Sequence, residues 1–183
     1  SAILEASGLR KSYGSFRLKD ISFSIQEDCI TGFIGVNGSG KTTTIHSILN
    51  LIHRDAGTIK SRGEDISVNE RKFKARIGVV LDSGCFYDEL SLKDTTALIS
   101  RAYSNWDENA FGRYMETFGL DREQILGTLS KGMKMEYSLA LALSHNAELL
   151  IMDAPTRGLD PLMREPFIHI LQEYMLPGGS AVF

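Results

Sequence analysis

Short apolar runs alternate with amphipathic stretches along most of the chain. From Ile21 to Ile25, apolar residues alternate with serines, which is typical of a strand with one buried face. Other short apolar runs predict buried strands, and they lie at 30–34, 76–81, 148–152 and 180–183. The run at 30–34 leads directly into a glycine-rich turn.

Helical spacing of apolar residues marks several of the segments between these runs. It is clearest in Ile45–Ile52, where apolar residues recur at i, i+3, i+4 and i+7. Asp107 precedes a second such segment and is predicted to cap it. Further helices are predicted at 92–104, at 107–118, after Ser130, and at 161–175.

Two prolines fall in the last predicted helix. Pro161 suits the first helical position, where its missing N–H has no partner to lose. Pro166 lies about one turn further on and removes a backbone donor. We therefore expect a kink or a restart of the helix at Pro166.

The order of these elements predicts an α/β fold. Strands alternate with helices, and a helical block is inserted between Leu81 and Glu148. At 183 residues the chain is long enough for one sizeable core and too short for two ordinary domains. Because Ser180–Phe183 resembles the start of a core strand, we expect the sequence to be truncated and to continue beyond Phe183.

Composition narrows the class of protein. The net charge is −3, which gives no reason to expect a nucleic-acid partner. The two cysteines, Cys29 and Cys85, suit a reducing compartment better than a disulfide framework. No apolar stretch approaches the roughly 18 residues of a membrane span, so the sequence predicts a soluble chain.

The glycine-rich turn carries the strongest chemical signal. Its residues match G-x-x-x-x-G-K-S/T in full, and they are Gly35, Val36, Asn37, Gly38, Ser39, Gly40, Lys41 and Thr42. Glycines let successive backbone N–H groups turn inward around phosphate oxygens. Lys41 reaches the β- and γ-phosphates, the Thr42 hydroxyl ligates Mg²⁺, and the following helix adds its positive end. Such a match arises by chance at about the 1% level in a chain of this length.

Three later motifs indicate which family of phosphate-loop proteins this chain resembles. They are LSKGM at 129–133, LLIMDAPT at 149–156 and GLDP at 158–161. Together with the phosphate loop, they resemble the signature loop, Walker B strand and D-loop of the ABC ATPase family. The resemblance runs from near the N-terminus to the last residue, and LSKGM is similar to the drug and antibiotic exporter branch.

The resemblance implies a P-loop NTPase core at 1–81 and 148–183, with a mixed sheet flanked by helices and an N-terminal antiparallel β part. A helical subdomain at 82–147 carries the signature loop. It also implies ATP and Mg²⁺ as cofactors, with Thr43 beside the phosphates.

Individual roles follow from the same resemblance. Tyr13 stands where the family stacks an aromatic ring on adenine, although packing at a strand end would also explain it. Asp153 would hold Mg²⁺ through water. Ser130 is predicted to be a plain N-cap. The resemblance also implies that Ser130 and Gly132 form the helix start that faces the γ-phosphate of a second subunit. Residues 83–90 and the helical lobe would contact membrane subunits, or Phe86, Tyr87 and Leu90 would fill the core of the lobe.

The implied assembly is a head-to-tail dimer, either homo- or heterodimeric, with two ATP molecules between its subunits. It would associate with polytopic membrane subunits on the inner face of the cell membrane. The membrane subunits, rather than this chain, would choose the cargo.

Several departures from the family concern chemistry rather than binding. Ala154 occupies the position of the glutamate general base, and a methyl group can neither accept a proton nor orient water. Asp82 replaces the usual glutamine near the metal, and Arg157 is bulkier than the residue usual there. The switch histidine of the family falls beyond Phe183. We therefore expect slow hydrolysis. The alternatives to a transporter subunit are an ABC protein of translation or DNA maintenance and an ATP-binding regulator without turnover.

Overall fold

The computed structural model describes residues 2–13, 15–26, 30–31, 55–80, 88–152, 161–175 and 180–182. These residues form two β-sheets, one antiparallel and one parallel, together with the helices that pack against them. Alternation of strands and helices in the second half of the chain agrees with the predicted α/β class.

The antiparallel sheet is built from the first part of the chain. Its strands are β1 (Ala2–Tyr13), β2 (Phe16–Gln26), β4 (Ala56–Ser61) and β5 (Glu64–Asp65), in the order β2-β1-β4-β5. In β2, Ile25 is buried and the serines around Phe23 are exposed, so the predicted alternation is confirmed. The apolar pattern did not predict β1, β4 and β5 as separate strands, but the antiparallel sheet that they form confirms the N-terminal antiparallel β part that the resemblance implies.

The parallel sheet contains the predicted buried strands. They are β3 (Ile30–Thr31), β6 (Ile77–Val80), β7 (Leu149–Met152) and β8 (Ser180–Val182), in the order β3-β8-β7-β6. All four residues of β7 are buried, as expected of a strand covered on both faces.

Five helices lie within the described residues. They are α1 (Glu70–Arg76), α2 (Leu92–Ser100), α3 (Glu108–Thr117), α4 (Lys131–Ser144) and α5 (Pro161–Met175), with a 3₁₀ turn at Leu126–Thr128. None of the described helices combines the length and apolar character that a membrane crossing requires. The helix predicted at 45–52 lies outside the described residues.

Helix α5 is continuous through Pro166. It runs from Pro161 to Met175, so of the two outcomes expected there the restart is wrong, and the kink stays a prediction. Pro166 removes only one backbone bond, and Phe167, Ile170 and Leu171 bury the following turns in the core. Burial of this face keeps the chain helical past the proline.

Helix α4 packs between two hydrophobic clusters and joins the helical block to the parallel sheet. Its Met135 and Leu139 lie in one cluster with β6, β7 and α5, whereas Tyr137 lies in the other with Leu92 and Phe111. Helix and sheet meet so closely at Gly78 that an added Cβ would lie 2.6 Å from the Cβ of Ala142.

Candidate functional site

The carboxyl ends of the parallel strands lie at one edge of their sheet. Strands β6 and β7 are parallel neighbours with Val80 opposite Met152, and β8 joins β7 to β3 in the same direction. Open parallel sheets bind ligands beyond this edge. The chain that leaves β3 leads to the phosphate loop, the chain that leaves β6 leads to Asp82, and the residue after Met152 is Asp153.

Most of the predicted site residues belong to these connections and lie outside the described residues. They are Gly35, Val36, Asn37, Gly38, Ser39, Gly40, Lys41, Thr42, Thr43, Asp82, Asp153 and Ala154. Phe86 and Tyr87 lie outside them as well. Tyr13 ends β1, but its ring is not described. The roles assigned to all of these residues stay predictions.

Ser130 is a predicted site residue whose backbone and side chain the structure describes. It caps α4 with extended backbone angles, φ −63° and ψ 162°, and its hydroxyl accepts the N–H of Met133 at 3.1 Å. Its carbonyl accepts the N–H of Lys134 at 3.0 Å. The predicted N-cap is therefore confirmed, and because Ser130 is exposed, the positive end of α4 faces outward.

Gly132 lies in the first turn of α4 and is buried. Contact of either residue with a nucleotide requires a second subunit and stays a prediction. Leu90, which the sequence placed either in the core or against a partner, is half-buried, and its carbonyl accepts the N–H of Leu126 at 2.9 Å.

A buried hydroxyl anchors the middle of α4. The Tyr137 hydroxyl donates to the carbonyl of Leu92 at 3.2 Å and lies 2.7 Å from the hydroxyl of Thr96. Burial raises the pKa of Tyr137 to about 12, so the phenol stays neutral. This link holds α4, the helix that Ser130 caps, against α2.

Glu136 is a buried carboxyl that the sequence analysis did not single out. Its side chain is buried, and among the described residues Oε1 has no hydrogen-bond partner. Burial raises its pKa from 4.5 to about 7, because the charged form loses its hydration. The sequence feature that could have identified Glu136 is a single glutamate among the mainly apolar residues of 135–143.

We predict that Glu136→Gln removes a pH dependence of stability. Between pH 4.5 and 7 the folded chain binds more protons at Glu136 than the unfolded chain does, so stability falls as the pH rises through this window. Allowing for residual screening, the native glutamate costs about 2 kcal/mol at pH 8. Urea unfolding at pH 5 and pH 8 should show the variant more stable than the native chain only at pH 8.

Glu116→Gln, at an exposed position of α3, is the matched control and should follow the native pH dependence. Equal pH dependence in the native chain and Glu136→Gln would contradict the prediction.

Comparison with known proteins identifies the family. Residues 18–157 match the ABC transporter family, and this stretch includes the phosphate loop, Ser130 and Asp153. The chain therefore belongs to the ABC transporter family.

The relatives include ATP-binding proteins of bacterial exporters and resistance systems. The chain is 36% identical over 88% of its length to the bacitracin transport ATP-binding protein BcrA of Bacillus licheniformis, and it covers 54% of that protein. It is 32% identical over 99% of its length to the linearmycin resistance ATP-binding protein LnrL of Bacillus subtilis, covering 60% of it. It thus spans between about half and three fifths of the length of these curated relatives.

Solved structures confirm the fold class. The structure of an ATP-binding subunit of an ABC transporter superposes with a TM-score of 0.86 and 26% identity, covering 98% of this chain and 78% of the other. A nucleotide-free ATP-binding cassette superposes with a TM-score of 0.81 at 23% identity, covering 100% and 80%. The fold is that of the P-loop cassette.

Proposed function

We propose that this chain is the ATP-binding subunit of a transporter and binds MgATP in a head-to-tail dimer. The observation that carries this proposal is the Ser130 cap, exposed at the start of α4, in a chain that also carries a complete phosphate-loop motif. A helix N-terminus favours an anion on electrostatic grounds. Each subunit would hold ATP on its phosphate loop and offer Ser130 and Gly132 to the γ-phosphate of the other.

The residues assigned to the metal suit magnesium. Thr42, Asp82 and Asp153 supply hydroxyl and carboxylate oxygens, which Mg²⁺ prefers. The ion would neutralise phosphate charge. Lys41 would bind the β- and γ-phosphates, and Tyr13 would stack on the adenine ring. The parallel register of β6 and β7 supports this set, because the chain runs from adjacent strand ends toward both aspartates.

Export is the direction that the relatives favour. Bacitracin transport, linearmycin resistance and Nod factor export name three of the similar ATP-binding proteins. By analogy, the chain would lie on the inner face of the cell membrane and drive separate polytopic subunits. Residues 1–81 and 148–183 would form the nucleotide-binding core, and residues 82–147 the helical subdomain.

Hydrolysis by this chain would be slow, because Ala154 cannot act as the base. The same residue favours a second candidate function, an ATP-binding regulator that never turns over. Co-purification with a polytopic membrane protein supports the transporter subunit. ATP binding without such a partner supports the regulator.

We predict that MgATP dimerises the purified chain and that Ser130→Ala weakens the dimer. Loss of a hydrogen bond to a charged phosphate in each half should raise the chain concentration at half-dimerisation at least about tenfold. Analytical ultracentrifugation with saturating MgATP measures this concentration.

Asn69→Ala is the matched control. Asn69 caps α1 in the same way, with its side-chain oxygen accepting the N–H of Lys72 at 3.1 Å. Both variants lose a cap worth about 1 kcal/mol of folding stability, but only Ser130→Ala should lose the dimer contact. Equal dimerisation of the two variants would contradict the role in trans of Ser130.

A further inference from the structure

A short backbone ladder joins two segments of the helical block. Residues 88–93 and 122–127 run antiparallel, and Ser91 pairs with Ile125 as an isolated bridge. Four backbone hydrogen bonds of 2.8–2.9 Å form the ladder, and they run from Leu92 N to Gln124 O, Lys93 N to Arg122 O, Leu126 N to Leu90 O, and Gly127 N to Asp88 O. The second segment ends three residues before Ser130.

The ladder is tightest where Gly127 meets Asp88. The N–H of Gly127 donates to the Asp88 carbonyl at 2.8 Å. A Cβ added at Gly127 would lie 2.9 Å from that carbonyl oxygen and 3.0 Å from the Cβ of Asp88. Because both atoms lie on or next to the backbone, neither can swing away. A larger residue at 127 must therefore displace one of the two segments.

From Gly127 the chain reaches Ser130 through a tight turn. The Thr128 hydroxyl donates to the Ile125 carbonyl at 2.6 Å, and the N–H of Leu129 donates to the Leu126 carbonyl at 3.1 Å. Leu129 is buried. No flexible spacer separates the ladder from the cap, so a shift of the ladder reaches Ser130.

Asp88 also contacts the far side of the cap. Its carboxylate lies 3.6 Å from Nζ of Lys134, in the first turn of α4. The backbone of Asp88 thus holds the residues before Ser130, and its side chain contacts a residue after it. Any change in the position of Asp88 acts on the start of α4 from both sides.

We propose that Asp88 and Gly127 are positioning residues. They hold Ser130 in the position from which it contacts a nucleotide bound by a second copy of this chain. This inference rests on the proposed function, since it gives Ser130 its ligand. Of these three residues only Ser130 would touch the phosphate, and Asp88 and Gly127 would act through it.

The test is a double-mutant cycle of Gly127→Ala and Ser130→Ala. Gly127→Ala should raise the half-dimerisation concentration in MgATP about tenfold, while the affinity of the monomer for ATP stays unchanged. In the Ser130→Ala background, Gly127→Ala should change the half-dimerisation concentration by less than about twofold, because the Ser130 hydroxyl that it would misplace is absent. Gly112→Ala, in α3 with no atom of the described part of the chain within 4 Å of its added Cβ, should leave dimerisation unchanged.

A second variant applies if Gly127→Ala does not fold, as judged by the fluorescence of the single tryptophan, Trp106. Thr128→Val removes the 2.6 Å bond to Ile125 at an exposed position and should shift dimerisation in the same direction. Failure of the native chain to dimerise would overturn the proposed function. A native chain that dimerises, with Gly127→Ala or Thr128→Val acting equally in both backgrounds or not at all, would overturn the positioning role alone.

Discussion

Ala154→Glu should raise steady-state phosphate release by about 10²–10⁴-fold. A positioned general base contributes this much, and alanine supplies no group that could accept the proton of the attacking water. Residue 154 is the second after Met152, the last residue of the fully buried strand β7. The new carboxylate would thus follow Asp153 in the sequence, at the position that the resemblance assigns to the general base. Binding of MgATP should not improve, because the base acts on water rather than on the nucleotide.

Ala154→Gln is the matched control for this experiment. Glutamine has nearly the volume of glutamate and can hydrogen-bond water, but it cannot take up a proton at neutral pH. We expect it to release phosphate at the native rate within a few fold. Phosphate release should be measured with magnesium at saturating ATP and at a chain concentration above half-dimerisation, so that a weak dimer does not limit the rate.

The result separates the two candidate functions of the chain. A large gain in Ala154→Glu would mean that the rest of the catalytic site is intact and lacks only its base. No gain, in a chain that still binds MgATP and dimerises, would mean that a further departure also limits turnover, whether Asp82, Arg157 or the lack of the switch histidine within residues 1–183, and would favour the regulator. A native rate already equal to that of Ala154→Glu would contradict the prediction of slow hydrolysis.

Regular periodicity and cap chemistry made part of the fold predictable. Strand β7 is a continuous apolar run, and it is buried on both faces. Asp107 was predicted to cap α3, and its carboxylate accepts the N–H of Ala110 at 2.9 Å. Ser130 caps α4 in the same manner. In each case one local rule, either apolar continuity or a side-chain acceptor, decides the structure, so the sequence suffices.

The same rules did not predict the irregular strands. Strand β1 pairs with β2 through three shifts of register, which interrupt the period of two that would have revealed it. Strand β4 buries only Ile59, so its pattern has no apolar repeat. Neighbouring strands, rather than their own sequence, stabilise both.

Tertiary contacts explain the remaining differences between the predicted and the observed structure. Helix α2 ends at Ser100, short of the predicted Ser104, and the turn after it brings Tyr103 onto His145 with ring centroids 3.9 Å apart. Glu136 is buried because the helix that carries it packs between two clusters. Neither fact can be read from local spacing, since the partner lies about 40 residues away or on another element.

Lys41→Ala should abolish most of the stabilisation that MgATP gives the chain. Ligand at 100 times its Kd stabilises a folded protein by about 2.7 kcal/mol, which corresponds to a rise in Tm of about 5–10 °C for a chain of this size. Lys41 would make charge-assisted hydrogen bonds to two phosphates, and loss of such bonds weakens binding about 10–100-fold. At the same ATP concentration a variant weakened 100-fold would keep only about 0.4 kcal/mol.

Lys60→Ala is the matched control, because Lys60 is an exposed lysine of β4 outside the predicted site. Its Tm should rise with MgATP as that of the native chain does. Thermal unfolding of the three chains, with and without MgATP, gives the comparison directly. An equal rise in Lys41→Ala would mean that residues 35–42 do not enclose the phosphates. Both the dimer and the positioning of Ser130 would then lose their ligand, because each depends on a nucleotide held by that loop.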